Sequence, residues 1–525
     1  MTQSTRETER KYELAAAGTF PRLSGLTGAD TGMSLVDAGV RELDAVYHDT
    51  ADLRLTRGAV TLRRRTGGAD AGWHLKLPLD GDTREEISAP LTDTGTAASS
   101  GDTDPVPDAL RDLALSRTRG ARLEPLVRVR TRREVRELTD ARGALLAELT
   151  LDRVTADALR GDGGHAAWTE LEVELVAHDA GPALLDRVEK ALGEEGVTRS
   201  TAPAKALRAL TETGTDPVTE PEPDSPAHAA PGTAGAPIAA YLAAQTAAIV
   251  RLDPDVRRAL PDSVHQMRVA CRRLRSCLRS YRTLLDREVT EPVRAELKWL
   301  GAELGAERDQ EVLAERLRAG VDRLPAELVL GPVTARLQAW DTARAAEARD
   351  RSLAALASPR YVALLETLHR LTARPPLRAT ADRAPGKALP RAIRKEHRRL
   401  ADRVAHALDT PPGPARDTAL HEARKKAKRL RYAAEAARPA LGKPARRLGK
   451  RVKAVQKALG DHHDGVVARD TLRRQAIAAD AAAESGFTWG LLYGEERCRA
   501  AARERDLPAL WARAADPALR KALKP

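Results

Sequence analysis

Aromatic side chains are scarce in these 525 residues, at 3% with only two Phe. That excludes cores or nucleic-acid platforms built on stacked rings, and leaves Leu, Val and Ala to form the interior. Cysteine is rarer still. Cys271, Cys277 and Cys498 have neither metal-ligand spacing nor the number needed for a disulfide framework, so a reduced compartment is expected. No run of about 18 apolar residues occurs, and the polar start MTQSTRETERKYEL has no signal core. The expected location is the cytoplasm, with no membrane partner.

What is abundant is charge. Charged residues make up 31% of the chain and the formal net charge is +12, a balance that attracts polyanions. The length predicts two or three domains. Residues 211–237, rich in Pro, Thr, Gly and Ala, are expected to be a disordered linker between a half at 1–210 and a half at 238–525.

The first half alternates apolar and charged residues at period two in Ala59–Arg65, Gly72–Pro78, Leu126–Glu137, Leu145–Leu151 and Thr169–Val176. An antiparallel sheet or barrel follows, with short helices near 105–118 and 181–195 and a flexible insertion at 92–108. Glu7, Glu9 and Lys11 share one strand face, as do Glu170, Glu172 and Glu174. Arg63 with Arg65, and Arg128, Arg130 and Arg132, form basic rows. Facing rows of acid would repel unless cations lie opposite. A lumen of acids and bases, able to hold a hard divalent cation and the phosphates it carries, accounts for the pattern. For Glu7–Lys11 alone, a solvated edge strand is the competing reading.

Residues 1 to about 212 resemble the CYTH family, the triphosphate tunnel metalloenzymes. The resemblance rests on Glu7-x-Glu9-x-Lys11, Tyr47-x-Asp49-Thr50, Leu62-Arg63-x-Arg65, Trp73-x-x-Lys76-x-Pro78, Arg84-x-Glu86, Glu170-x-Glu172-x-Glu174 and Lys205. It implies an eight-stranded antiparallel tunnel that hydrolyses inorganic tripolyphosphate or an organic triphosphate with Mg²⁺ or Mn²⁺. Glu7, Glu9, Asp152, Glu170 and Glu172 are then the expected metal ligands, with Glu86 as a helper. Lys11, Arg63, Arg65, Lys76, Arg132 (or Arg130) and Lys205 are the expected phosphate clamp, and Glu7, Glu9, Lys11 and Glu170 the catalytic set.

The second half, rich in Ala, Leu, Arg and Glu, reads as helices and contains a repeat. His265, Arg268, Arg272, Arg273 and Arg275 stand at the same offsets as His421, Arg424, Lys428, Arg429 and Arg431; Lys298 corresponds to Lys453, and Leu304-Gly305 to Leu459-Gly460. Offsets 0, 3, 7 and 10 lie within about 80° on a helix. From His421 to Lys457 there are fourteen Lys/Arg, Lys425 among them, against two Glu. Such crowding repels unless a polyanion compensates. A solvated basic face, histidine metal ligands and DNA are the alternatives, but no groove-reading helix is evident and no sequence-specific nucleic-acid partner is expected. The half resembles the CHAD family through VHQMRVACRRLRS (Val264–Ser276), LGAERDQEVL (Leu304–Leu313), LHEARKKAKRLRYAAE (Leu420–Glu435) and LGDHHDGVV (Leu459–Val467). That resemblance implies two four-helix bundles, in units at about 238–375 and 385–525, around a basic channel that binds inorganic polyphosphate. The expected class is thus α+β multidomain. A polyphosphate-binding granule protein with little catalysis, or an adenylate cyclase, are the other functional readings.

Overall fold

The computed structural model describes residues 2–14, 18–23, 25–27, 32–91, 105–161, 163–176, 181–202, 204–215 and 229–523. The insertion expected at 92–108 falls largely outside them, as do residues 216–228 of the linker expected at 211–237. The chain divides into two compact units, residues 1–222 and 223–525.

Eight strands close the first unit into an antiparallel barrel: β1 (Gln3–Glu13), β2 (Ser34–Asp49), β3 (Thr61–Thr66), β4 (Gly72–Pro78), β5 (Thr83–Ala89), β6 (Glu124–Thr139), β7 (Leu145–Ala158) and β8 (His165–Leu175), in the order β5-β4-β3-β2-β6-β7-β8-β1. Closure falls to β1, which pairs with β5 through Gln3–Thr8 and with β8 through Glu9–Glu13. A two-residue strand, β9 (Thr198–Arg199), adds to the other edge of β1.

Apolar positions between the charged ones point outward and are roofed by helices. Leu62, Trp73, Leu75 and Ile87 pack with α1 (Arg54–Arg57) and α2 (Asp108–Thr118). Tyr12, Leu149, Leu151, Leu171 and Val173 pack under α3 (Gly181–Glu194). Both outer helices occur where the periodicity places them. Each of these side chains adds about 1.5–3 kcal/mol by leaving water, so the apolar stripe fixes strand parity and forces the charged stripe inward.

At one end the lumen itself turns apolar. Val127, Val129, Val154, Ala156, Ala166 and Trp168 meet Ala206, Ala209 and Leu210 of α4 (Lys205–Glu212). This helix plugs the barrel and carries Lys205 at its first position.

The second unit is helical throughout: α5 (Gly235–Arg257), α6 (Ser263–Ser280), α7 (Arg287–Val321), α8 (Val333–Ala357) and α9 (Pro359–Ala373), then α10 (Pro385–Asp409), α11 (Pro414–Ala436), α12 (Arg438–Ala481), α13 (Phe487–Ala515) and short α14 (Pro517–Lys521). The second five repeat the order of the first, with α6 matching α11 and α7 matching α12. The two bundles are not separately cored: one buried cluster runs from Ala234 to Leu523. Tyr281 Oη, fully buried, donates to the Ala433 carbonyl at 2.6 Å across the seam. α12 is one element only by continuity, since Gly442 at φ 58° kinks it. Among the described residues, no helix is long and apolar enough to cross a membrane.

Candidate functional sites: a charged tunnel and a basic cavity

Strand register assembles the tunnel. Across β7 and β8, Asp152 faces Glu170, Thr150 faces Glu172 and Glu148 faces Glu174; across β1 and β8, Glu9 faces Glu174 and Lys11 faces Glu172. Lys76 stands opposite Glu86, and Arg133 opposite Asp152. The open space beside them is about 330 Å³ and is bounded by Glu9, Lys76, Arg133, Glu172, Glu174 and Lys205.

Asp152, Glu170 and Glu172 are all buried and offer carboxylate oxygens within 4.8 Å of one another. Three cations hold them. Lys205 Nζ lies 2.5 Å from Asp152, 3.0 Å from Glu170 and 3.4 Å from Glu172. Arg133 reaches Asp152 and Glu172 at 2.6 Å each, and Lys11 pairs with Glu172. Trp168 Nε1 donates to Glu170 Oε2 at 2.7 Å, while Oε1 faces the Lys205 ammonium.

Nearer the open end a second network forms. Lys76 pairs with Glu7 and lies 3.3 Å from Glu86, while His74 Nδ1 is 2.8 Å and Arg63 3.4 Å from the same carboxylate. Arg65 pairs with Asp70. Glu7 and Glu9 therefore line the same lumen as the triad without joining it.

Burial by itself would raise every carboxyl here, but adjacent cations overrule it. Glu9 is held at about 2 by Lys11 and Lys76, and Glu172 far below the carboxylate range by Lys11, Lys205 and Arg133. The same partners lift Lys205 and Lys76 despite their burial. Glu174 is the exception: burial, then Glu7, push it up to about 7. Burial and Arg63 bring Arg65 down to about 9.

One expected clamp residue is misplaced. Arg132 is half exposed on the outer face, beside Glu42 and Glu134, and Arg130 pairs outside with Asp157. The lumen arginine of β6 is Arg133, one residue on. Near the plug, the lumen side of β6 is apolar (Val127, Val129), so the charged row there is the solvent face. Asp49 is also not a lumen group: its carboxylate accepts the amides of Thr50, Leu55 and Thr56 and caps α1.

The helical unit holds a cavity of about 670 Å³ lined by α6, α7, α11 and α12. His265, Arg268, Arg272, Arg275, His421, Arg424, Lys425, Lys428 and Arg429 all line it, and Arg279, Arg294, Arg308, Arg316 and His463 join them from positions outside the expected stripes. The Leu-Gly pairs explain how the stripes come close. Arg268 Nη1 donates to the Gly305 carbonyl at 3.1 Å, and a Cβ on Gly305 would sit 3.4 Å from the same guanidinium; on Gly460 it would sit 3.5 Å from Arg424.

Four expected ligands lie elsewhere. Arg273 pairs with Glu435 at 2.8 Å and Arg431 stacks over Tyr432, 4.5 Å from the ring centre. Lys298 and Lys453 are exposed on the outer sides of α7 and α12.

Compensation in the cavity is uneven: Arg294, Arg308, Arg316, Lys425 and Arg429 pair with Glu291, Glu311, Glu496, Glu422 and Glu396. Arg268 meets Asp309 at 3.0 Å and Arg424 meets Asp464 at 3.6 Å. Among the described residues no carboxylate forms an ion pair with Arg272, Arg275 or Lys428. Burial, with Arg424 and Arg272 nearby, pushes Lys428 down to about 7. His421 and His463 bring their Nδ1 atoms to 3.1 Å, and burial with His421 and Arg424 lowers His463 to about 4.

A closed antiparallel barrel with interleaved acids and bases inside, followed by a duplicated helical unit around a cationic cavity, defines a tunnel-type barrel protein with a helical partner domain. The chain belongs to the CYTH family, the triphosphate tunnel metalloenzymes, in its fusion with a CHAD domain: residues 5–207 match the CYTH domain and residues 240–473 the CHAD domain. It is 37% identical over 511 residues, 94% of each chain, to "Uncharacterized protein Rv2226" of Mycobacterium tuberculosis (strain ATCC 25618 / H37Rv). Among solved structures it is similar to PptA from Streptomyces chartreusis, with 25% identity over 53% of this chain and 99% of that one and a TM-score of 0.46. It is also similar to the CHAD domain from the plant Ricinus communis, with 28% identity over 54% and 92% of the two chains and a TM-score of 0.44.

Proposed function

We propose that the tunnel is a Mg²⁺- or Mn²⁺-dependent triphosphatase that removes the terminal phosphate of inorganic tripolyphosphate or an organic triphosphate, and that the helical unit binds inorganic polyphosphate. The observation that carries the enzymatic reading is the convergence of buried Asp152, Glu170 and Glu172 on Lys11, Arg133 and Lys205 in one lumen.

An all-oxygen donor set suits a hard divalent cation, and Asp152, Glu170 and Glu172 would hold it, with Glu7 and Glu9 on the adjoining wall. Carboxylate oxygens from three separate side chains within 4.8 Å of one another support that fit. Such a cation supplies charge neutralisation and acidifies water. The rest belongs to the chain. Lys11, Arg63, Lys76, Arg133 and Lys205 grip phosphoryl oxygens, and their charge offsets what builds up on the terminal phosphate during in-line displacement. The α4 plug closes one end with apolar side chains, which lowers the dielectric and strengthens each of these contacts.

For the helical unit, the supporting observation is a buried cationic wall whose Arg272 and Lys428 have no ion-pair partner among the described residues. Polyphosphate held there could feed the tunnel by effective concentration.

The test is a panel of tripolyphosphate, ATP and thiamine triphosphate with Mg²⁺ or Mn²⁺. Phosphate release with at least one of them is expected. Cyclic AMP from ATP without phosphate release would replace this reading with a cyclase, and no turnover at all would leave a polyphosphate-binding protein.

A further inference from the structure

A second basic hollow, of about 290 Å³, opens where α6, α10 and α11 meet, lined by Arg279, Arg399, Asp402, Arg403, Lys426 and Arg429. Arg279 and Arg429 also line the large cavity, so the two spaces share a wall of guanidinium. Neither repeat stripe predicts this hollow. It depends on α10, a helix with Arg391, Arg394, Lys395, Arg398, Arg399 and Arg403 against Glu396 and Asp402.

Two carboxylates, Asp402 in the lining and Glu396 behind it, compensate the hollow only in part. Glu396, only 1% exposed, gives one oxygen to Arg399 at 2.6 Å, while its other oxygen is 3.9 Å from Arg429 Nη1 and receives no hydrogen bond. Arg279 Nε and Arg429 Nη1 are buried without hydrogen-bond partners. Burial together with Arg294 lowers Arg279, and burial together with Arg429 and Arg403 lowers Lys426. A merely solvated face would let these side chains splay into water. Here half-buried Arg279, Lys426 and Arg429 are held close to one another instead.

We propose that this hollow is a second polyphosphate subsite, reached from the cavity past Arg279 and Arg429, where Arg399, Arg403 and Lys426 hold the part of a long chain that the cavity cannot contain. The proposal rests on the reading of the cavity as a polyphosphate site and adds a consequence, dependence on chain length. Short chains fill the cavity; long ones gain contacts beyond it.

The experiment compares the full-length protein with the variant Arg399→Glu/Arg403→Glu/Lys426→Glu, none of which lines the cavity. Binding is titrated with polyphosphates from about ten to several tens of phosphates at two or more salt concentrations. The wild type is expected to bind long chains more tightly than short ones. The variant should lose that gain, roughly tenfold or more, with a salt slope shallower by about two to three, and should bind short chains as before. Unchanged long-chain binding, or equal weakening for short and long chains, overturns the proposal. So does a loss confined to a single-stranded oligonucleotide of equal charge, which would assign the hollow to nucleic acid. The parent reading is tested apart from it: Arg272→Glu/Lys428→Glu in the cavity should abolish binding of short chains, and if it does not, the cavity assignment fails first.

Discussion

The lumen of the barrel is lined by eight Lys/Arg and seven carboxylates, whereas the cavity of the helical unit is lined by eleven Lys/Arg and two carboxylates. On the proposed function both meet phosphate, yet they store their charge differently. In the lumen each cation already has an acidic partner, so an anion alone gains little: it must displace carboxylates that would then stand buried and unpaired. An anion arriving with a divalent cation solves both problems, because the cation takes the acids and the phosphates take the bases. In the cavity Arg272, Arg275, Arg279 and Lys428 form no ion pair among the described residues, and an anion alone would relieve them. On the proposed function the lumen takes an anion together with its divalent cation, and the cavity takes a polyanion by itself.

The largest expected effect breaks that contrast at its centre. Chelation of divalent cations, or Glu172→Gln, should reduce phosphate release by about 10²–10³-fold or more, while polyphosphate binding by the full-length chain stays within about twofold of wild type. Phosphate assays and calorimetric titration read the two arms. Polyphosphate binding that vanished with chelation would show the cavity to need a metal as well, and the contrast would be gone.

A smaller effect concerns sign. Lys205→Met takes the near cation from buried Glu170 and leaves Asp152 to Arg133 alone, and should destabilise the barrel by about 3–5 kcal/mol. Lys428→Met removes a cation from among Arg424, Arg272 and Arg268, and should leave the helical unit as stable as before or more stable by about 1 kcal/mol. Calorimetric melting of the full-length variants checks both; melting shifts of the same sign would mean that the cavity cations are as well compensated as those of the lumen.

How much of this was legible in sequence depends on whether a pattern reports one element or a meeting of several. β8 was readable because Glu170-Glu172-Glu174 alternate with Leu171, Val173 and Leu175, and β1 because Glu7, Glu9 and Lys11 keep the same period of two. β2 went unread. Its alternation breaks at a register shift between Asp37 and Val40, where Gly39 takes φ 91° and Val36 and Val40 are exposed. Arg133 was missed because the charged row Arg128-Arg130-Arg132 has the right period and the wrong face: the lumen is apolar beside α4 and charged beyond it, and only the plug reveals where that changes. In the helical unit the stripes on α6 and α11 were readable from offsets alone. Lys298 and Lys453 correspond by repeat and still point outward, since a shared position in two helices does not fix what that position faces. Arg294, Arg308 and Arg316 on α7 reach the cavity through tertiary packing, which no spacing encodes; His463, one of two adjacent histidines in the Leu459–Val467 motif, was the addition that sequence could have flagged.

The smallest expected effect sharpens the contrast by titration. Lys428 sits at about 7 in the free protein because burial, Arg424 and Arg272 disfavour its charge, with Asp464 only partly offsetting them. A bound polyanion reverses the local field, and the bound lysine returns toward its ordinary range. Binding therefore takes up a proton wherever the free amine is neutral. Affinity should be flat well below pH 7 and weaken as pH rises through 7, by up to tenfold per unit until the pKa of the bound state is reached. Between pH 6.5 and 8 that amounts to roughly tenfold, above the range in which His421 and His463, both lowered, would contribute. Titration calorimetry in two buffers of different ionisation enthalpy counts the proton directly, and Lys428→Arg, charged throughout, should flatten the profile. A wild-type affinity independent of pH across this interval would mean that Lys428 is already charged in the free cavity, and that the cations there are less crowded than their geometry implies.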